Sequence, residues 1–378
     1  MKRLLSIVAA AALCVPVFTS CSDDENDNNG SGQPQGNVTV VDGLFVLNSG
    51  NQSNNIPGSL TYISKDGQVI KDAFTAANGI TLGGTPNDAV VYGSKLYIAV
   101  TEENTVWVVD RSTVKEIRRI STTELMGEDK GKQPRRLLAC AGKIYLSTFD
   151  GYVAAIDTAD YTASATYKVG SYPEGMTYGK GSIFVANSDY GQGINPSISR
   201  INLQTGKVTE LKDGLIMNPT SIVAVDNALY VLDYGSYDEN WNQKDAGIRK
   251  ITNGTVEKVA DATMMSVDTK AKKIYTVNAP YTSPATPATY NVYDCATGSV
   301  TEFISGEDIA SAAAIIVDSA NSGDVYISSY NIDPDTGFAS YSTDGYINQY
   351  TSGGTFVRKY EAGVGPTAFA FNYYTANE

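Results

Sequence analysis

The chain has 378 residues, is 42% hydrophobic and 18% charged, and carries a net charge of −13 with no histidine at all. A chain in which acids outnumber bases, 41 to 28, is poorly suited to neutralising phosphates, so nucleic acid is not expected as a partner. The missing imidazole excludes Ser-His-Asp and Cys-His catalysis and every metal site that needs histidine, and leaves carboxylate, tyrosine, lysine or calcium chemistry open.

Lys2 and Arg3 precede an apolar run, 4–17, that has the length of a secretory signal and is too short to span a bilayer. The run ends on Phe18-Thr19-Ser20-Cys21, which resembles a bacterial lipobox with Cys21 as the first mature residue and the site of lipidation. Acylation by more than one chain gives lasting membrane attachment. Ser22-Asp23-Asp24-Glu25 resembles the acidic export tag of surface lipoproteins; an acidic linker on a protein facing the periplasm is the alternative. Residues 22–36 hold almost nothing apolar and read as a disordered tether. The chain therefore divides into a leader (1–20), an acylated acidic tether (21–36) and one large fold (37–378).

That fold is read as all-β. Four segments align, "TPNDAVVYGSKLYIAV", "QPRRLLACAGKIYLST", "YPEGMTYGKGSIFVAN" and "NPTSIVAVDNALYVLD". In each, a proline is followed eleven positions later by an aromatic: Pro86 and Tyr97, Pro134 and Tyr145, Pro173 and Phe184, Pro219 and Tyr230. The aromatics stand 48, 39 and 46 residues apart, the period of propeller blades. Each unit divides into four strands, A to D, separated by Gly, Asn and Asp turns. Two later units, from "KKIYTVNA" and "GDVYISSY", are less regular. The first unit, "LFVLN", "SLTYIS" and "GQVIKDAF", lacks a strand A, and the terminal "GPTAFAFN" is a strand A with nothing after it. Joining the two completes a seven-bladed β-propeller with velcro closure by the C-terminal strand, six or eight blades being the alternatives. Cys140 and Cys295 fall in different blades and read as two free, buried thiols.

In such a fold the A-to-B and C-to-D turns share one face, and here they are short. The B-to-C loops on the opposite face lengthen to "SGNQSNNIPG" in blade 1 and to "SDYGQGINP", "YGSYDENWNQKDAG", "APYTSPATPA" and "YNIDPDTGFASYSTDG" in blades 4 to 7. Long loops that lack their own secondary structure are functional or disordered. These carry Asn51, Asn54, Tyr190, Tyr234, Tyr237, Trp241, Tyr281 and Tyr330, with Tyr341 and the amides of Asn187, Asn240, Asn242 and Asn331 among them. Rigid aromatics mixed with adaptable amides are what paratopes use. The proline motif adds Asn87, Asp88, Arg135, Glu174 and Thr220 at the channel mouth. The loop aromatics divide between ligand contact and loops packing on themselves. Tyr97, Tyr145, Phe184, Tyr230, Tyr275 and Tyr326 recur at one strand position and read as packing between blades. "DPDTG" at 333–337 has incomplete spacing for a calcium loop, so no metal or resident cofactor is expected.

On "GLFVLNSGN…GSLTYI", the repeated proline-to-"LYV" units and the terminal "GPTAFAF", the chain after the tether resembles the YncE-like propellers of Bacteroidetes surface lipoproteins, a group that includes the cobalamin-capturing BtuG type. The resemblance implies a non-catalytic binding protein, lipid-anchored at the cell surface over an outer-membrane TonB-dependent transporter. A corrinoid such as vitamin B12 is the leading small-molecule ligand. The residues keep two other readings open: a scaffold that binds a surface protein or glycan through the same loops, and an enzyme, either a calcium-dependent lactonase or a carboxylate-based carbohydrate-active propeller. For the last, Asp88 and Glu174 are the only acids that the repeated motif places at the channel mouth.

Overall fold

The computed structural model describes residues 38–376; the leader, Cys21 and the tether lie outside the described residues. Seven four-stranded antiparallel sheets follow one another as propeller blades. Blade 1 is β1 (Val38–Asn48), β2 (Ser59–Ser64) and β3 (Val69–Ile70), followed by α1 (Ala73–Asn78). Blade 2 is β4 (Pro86–Tyr92), β5 (Lys95–Val100), β6 (Thr105–Asp110) and β7 (Glu116–Ser121), with α2 (Thr122–Met126) behind it. Blade 3 is β8 (Pro134–Cys140), β9 (Lys143–Thr148), β10 (Tyr152–Asp157) and β11 (Ala163–Lys168). Blade 4 is β12 (Pro173–Gly179), β13 (Ser182–Asn187), β14 (Ser197–Asn202) and β15 (Val208–Leu211). Blade 5 is β16 (Pro219–Val225) and β17 (Ala228–Asp233), then a small hairpin β18 (Ser236–Tyr237) and β19 (Gln243–Lys244), then β20 (Gly247–Thr252) and β21 (Thr255–Ala260). Blade 6 is β22 (Met264–Asp268), β23 (Lys273–Asn278), β24 (Thr289–Asp294) and β25 (Val300–Ile304). Blade 7 is β26 (Ser311–Val317), β27 (Val325–Tyr330), β28 (Asp344–Tyr350) and β29 (Phe356–Val364). The last strand, β30 (Pro366–Ala376), returns to blade 1 and pairs with β1 as its inner strand, which is the expected closure.

The register explains the recurring spacing of eleven. Each opening proline lies opposite the last residue of the next strand, as in Pro86 with Val100 and Pro134 with Thr148, and the two-residue turn then sets Val90 opposite Tyr97 and Leu138 opposite Tyr145. Both residues of the turns Ala141–Gly142 and Lys180–Gly181 have positive φ, the tight hairpin geometry that follows strand twist. Proline has no N–H to give the ladder, so the pairing slips immediately after it, between Pro86 and Asp88, Pro134 and Leu137, Pro173 and Met176, and Pro219 and Ser221. A bulge of this kind re-aims the side chains inside it. Those are the residues of the channel mouth.

One hydrophobic cluster fills each of the seven gaps between neighbouring blades. The recurring aromatics sit in these gaps as expected, Tyr97 between blades 2 and 3, Tyr145 between 3 and 4, Phe184 between 4 and 5, and so on to Tyr326 between 7 and 1. Phe45 supplies the seventh, between blades 1 and 2. Tyr97 is buried with a hydroxyl that has no hydrogen-bond partner, and burial pushes its pKa up. An unpaired buried hydroxyl costs about 1–3 kcal/mol. Tyr97→Phe is therefore expected to stabilise the protein by about 1 kcal/mol in urea titration, with an unchanged slope.

Three expectations are corrected. "GQVIKDAF" is not one outer strand: only Val69–Ile70 pairs, after which the Asp72 side chain accepts from Thr75 N and starts α1, burying Phe74. The long loop of blade 5 has its own hairpin, β18–β19. Cys295 is a half-buried free thiol rather than a buried one, and Cys140 is not a free thiol. Among the described residues no helix is long and apolar enough to cross a membrane.

Candidate functional site

The bulges after the prolines bring side chains from β4, β8 and β12 onto one another at the channel mouth. Arg135 holds Glu174 through Nε and Nη2, at 3.0–3.2 Å, and donates from Nη1 to Asn87 Oδ1 at 2.9 Å. Asn87 returns a hydrogen bond to the Arg135 carbonyl at 2.7 Å. Arg136 donates only to the Asn87 carbonyl, at 3.1 Å, and stands 3.8 Å from Asp88 Oδ1 and 4.0 Å from Glu174 Oε2. Asp88 Oδ2 accepts from Leu137 N at 2.8 Å. Burial raises the Asp88 pKa, opposed by the Arg136 charge and by the backbone N–H groups on the carboxylate. The Tyr234 hydroxyl is also raised by burial, with Arg136 and the Thr220 hydroxyl pulling it down and Glu174 pushing it up. The starts of β22, β26 and β30 bring no charge, only residues such as Met264, Ser311 and Thr367. The charged groups are thus confined to one side of the mouth.

Above this floor rise the loops. Phe149 receives Arg135 on its face at 4.3 Å and packs on Tyr172 and Tyr190, with ring centroids 5.1 and 5.8 Å away. Tyr190 is 67% exposed, Trp241 72% and Tyr281 69%. Tyr237 lies 6.5 Å from Trp241 across the tip of the β18–β19 hairpin. Tyr330 is half-buried against Tyr341, at 4.9 Å, and its pKa is pushed up to about 12 by burial. Tyr190 and Trp241 both have left-handed backbone, with φ of 53° and 63°. That conformation costs a bulky residue roughly 1–3 kcal/mol and persists only where the surroundings fix it.

The structure brings together Asn87, Arg135, Glu174 and Tyr234 as floor, and sets Tyr190, Tyr237, Trp241 and Tyr281 on the rim. Asn51 and Asn54 have another role: their side-chain amides bond Tyr341 O, at 2.9 Å, and Ser342 Oγ, tying the loop of blade 1 to that of blade 7. In the same way Gln243 N donates to Tyr281 O at 2.7 Å, and Asn242 Oδ1 accepts from Ser283 N at 2.7 Å, tying the loops of blades 5 and 6. Asn187 is buried, donating to Ser197 and Ser199 Oγ, and cannot meet a ligand. Asp333 accepts from the N–H of Asp335 and Thr336, which is a turn rather than a cation loop. No group of three or more potential metal ligands occurs among the described residues. Sequence reasoning missed Arg136, Phe149 and Tyr172. Arg136 was signalled by its place in the motif, two residues after the proline as Asp88 is, whereas nothing marked Phe149. On the outer side of the Tyr190 loop, Ile194, Asn195, Lys212 and Met217 line a cleft of about 450 Å³.

No curated protein matches the chain significantly. Among solved structures it is similar to the computationally designed Ika8 protein, at 13% identity and a TM-score of 0.47 over 75% of this chain and 89% of that one. It is also similar to the hydrazine synthase of Kuenenia stuttgartiensis, at 14% identity and a TM-score of 0.47 over 80% of this chain and 96% of that one. These likenesses are too distant to carry a function. The family match is extensive: residues 42–364, from β1 to the end of β29, fit the model described as "Domain of unknown function (DUF5074)", and the chain belongs to that family.

Proposed function

We propose that the protein is a non-catalytic binding protein that captures a small molecule on its loop face, with a corrinoid as the leading ligand, and presents it to an outer-membrane transporter while anchored through Cys21. The observation that carries the binding reading is the exposure of large loop aromatics around a polar floor, Tyr190, Trp241 and Tyr281 among them, with Tyr190 and Trp241 on left-handed backbone. Large exposed aromatics on ordered loops offer contact area at low entropic cost. The loops bearing Trp241 and Tyr281 are bonded to each other, so little ordering remains for a ligand to impose. A flat, partly apolar macrocycle with polar arms suits a bowl with an aromatic rim and a hydrogen-bonding floor. Both motif carboxylates are engaged, Glu174 by Arg135 and Asp88 by the Leu137 amide, which favours binding over proton transfer. The anchor and the hand-over rest on the leader and the family resemblance.

Calorimetric titration with cyanocobalamin tests the reading. One-to-one binding is expected, weakened at least tenfold, about 1.4 kcal/mol, by Trp241→Ala or Tyr190→Ala. Absence of heat, together with an unchanged melting temperature at high ligand concentration, removes the corrinoid.

A further inference from the structure

The two guanidiniums at the channel mouth differ in how far their hydrogen-bonding capacity is used. Arg135 has Nε, Nη1 and Nη2 all bonded to Glu174 or Asn87. Arg136 makes one hydrogen bond, from Nη1 to the Asn87 carbonyl; its Nε and Nη2 make none, and its side chain is 34% exposed. Beside it, Asp88 Oδ1 lies 3.8 Å from Nη1, beyond hydrogen-bond range, and accepts from no side chain. A spare donor and a spare acceptor thus stand side by side on one wall of the mouth. The charges around them cancel, Arg135 against Glu174 and Arg136 against Asp88. An anion that reached Arg136 would meet two carboxylates, and a cation that reached Asp88 would meet two guanidiniums. A neutral group with a carbonyl and an N–H side by side meets neither penalty and completes both partial bonds.

We propose that Arg136 and Asp88 form a subsite for a neutral carboxamide arm of the ligand, the carbonyl accepting from Arg136 and the N–H donating to Asp88. The inference deepens the binding reading above and rests on it. A corrinoid, whose periphery carries such amides, is one ligand that would present the group.

The test uses the protein labelled with ¹⁵N-arginine. The Arg136 Nε–H signal is assigned by its disappearance in Arg136→Lys, and propionamide, propionate and inorganic phosphate are titrated separately. Propionamide is expected to shift this signal saturably while the two anions at equal concentration leave it in place, and Asp88→Asn is expected to weaken the propionamide response at least fivefold. A saturable shift with propionate or phosphate in place of propionamide overturns the proposal in favour of an anion site. No shift with any probe overturns it in favour of a purely internal cation joining blades 2, 3 and 4. Cyanocobalamin binding with an unmoved Arg136 signal removes the subsite and keeps the corrinoid. A propionamide response without cyanocobalamin binding does the reverse.

Discussion

A chain ending at Gly365, without β30, is expected to lose cooperative unfolding. β30 is the inner strand of blade 1 and pairs with β1 along nearly its whole length, from Val38 with Ala376 to Asn48 with Pro366. Its Ala368 and Ala370 belong to the cluster between blades 1 and 2, and Phe371 to the cluster between blades 7 and 1. Asn372 is buried and exchanges hydrogen bonds with Arg111 of blade 2, at 2.7 and 3.3 Å. Removing the strand therefore opens two interfaces at once and leaves β1, with Leu44, Phe45, Val46 and Leu47 buried in the intact ring, as a bare apolar edge. Circular dichroism melting is expected to show a broad transition in place of a sharp one, or a midpoint lowered by more than about 10 °C, with aggregation on gel filtration. A sharp melt at the parental temperature would mean that the ring does not depend on its closure.

Glu174→Gln is expected to cost about 3 kcal/mol. The carboxylate is 6% exposed and receives three of the close contacts of Arg135, so neutralising it leaves a cation in a largely dry site without its counter-charge. Replacing the pair by Arg135→Met with Glu174→Leu is expected to recover most of the loss, because what the single change costs is the stranded charge rather than the attraction itself. Urea titration of the single and double variants measures the coupling, and additive losses would show that the pair is not a unit. Since Arg135 lies on Phe149 and Phe149 on Tyr190, the single change is also expected to loosen the rim of blade 4.

The framework was legible because it is local. Proline, tight turn and aromatic lie within one hairpin, so their spacing records a register, and the unpaired strand at each end of the chain announced the closure. Blades 6 and 7 were hard to read because Thr263 and Ser311 stand where the other blades have proline, and β22 joins β23 without a slip. The first outer strand was misread because a two-residue strand leaves little pattern and the Asp72 cap outweighs strand propensity beyond it. The site was less legible for a different reason. Asn51 meets Tyr341 across 290 positions of sequence, and that meeting exists only once the ring has closed. The two arginines of "PRR" are identical in sequence terms, and it is Glu174 of the next blade that binds one tightly and leaves the other mostly uncommitted.

The bonds between loops also bear on how such a protein could change what it recognises. The rim consists of three separate pieces: the loops of blades 5 and 6 held together, those of blades 7 and 1 held together, and the Tyr190 loop resting on Phe149 and Tyr172. Each piece stands on its own blades, and the clusters that hold the ring lie beneath all three. One piece can therefore be exchanged or remodelled in isolation, altering part of the recognition surface while the other two parts and the ring below keep their shape. If the rim binds as proposed, its selectivity is expected to be modular, with one loop pair as the unit to graft between relatives.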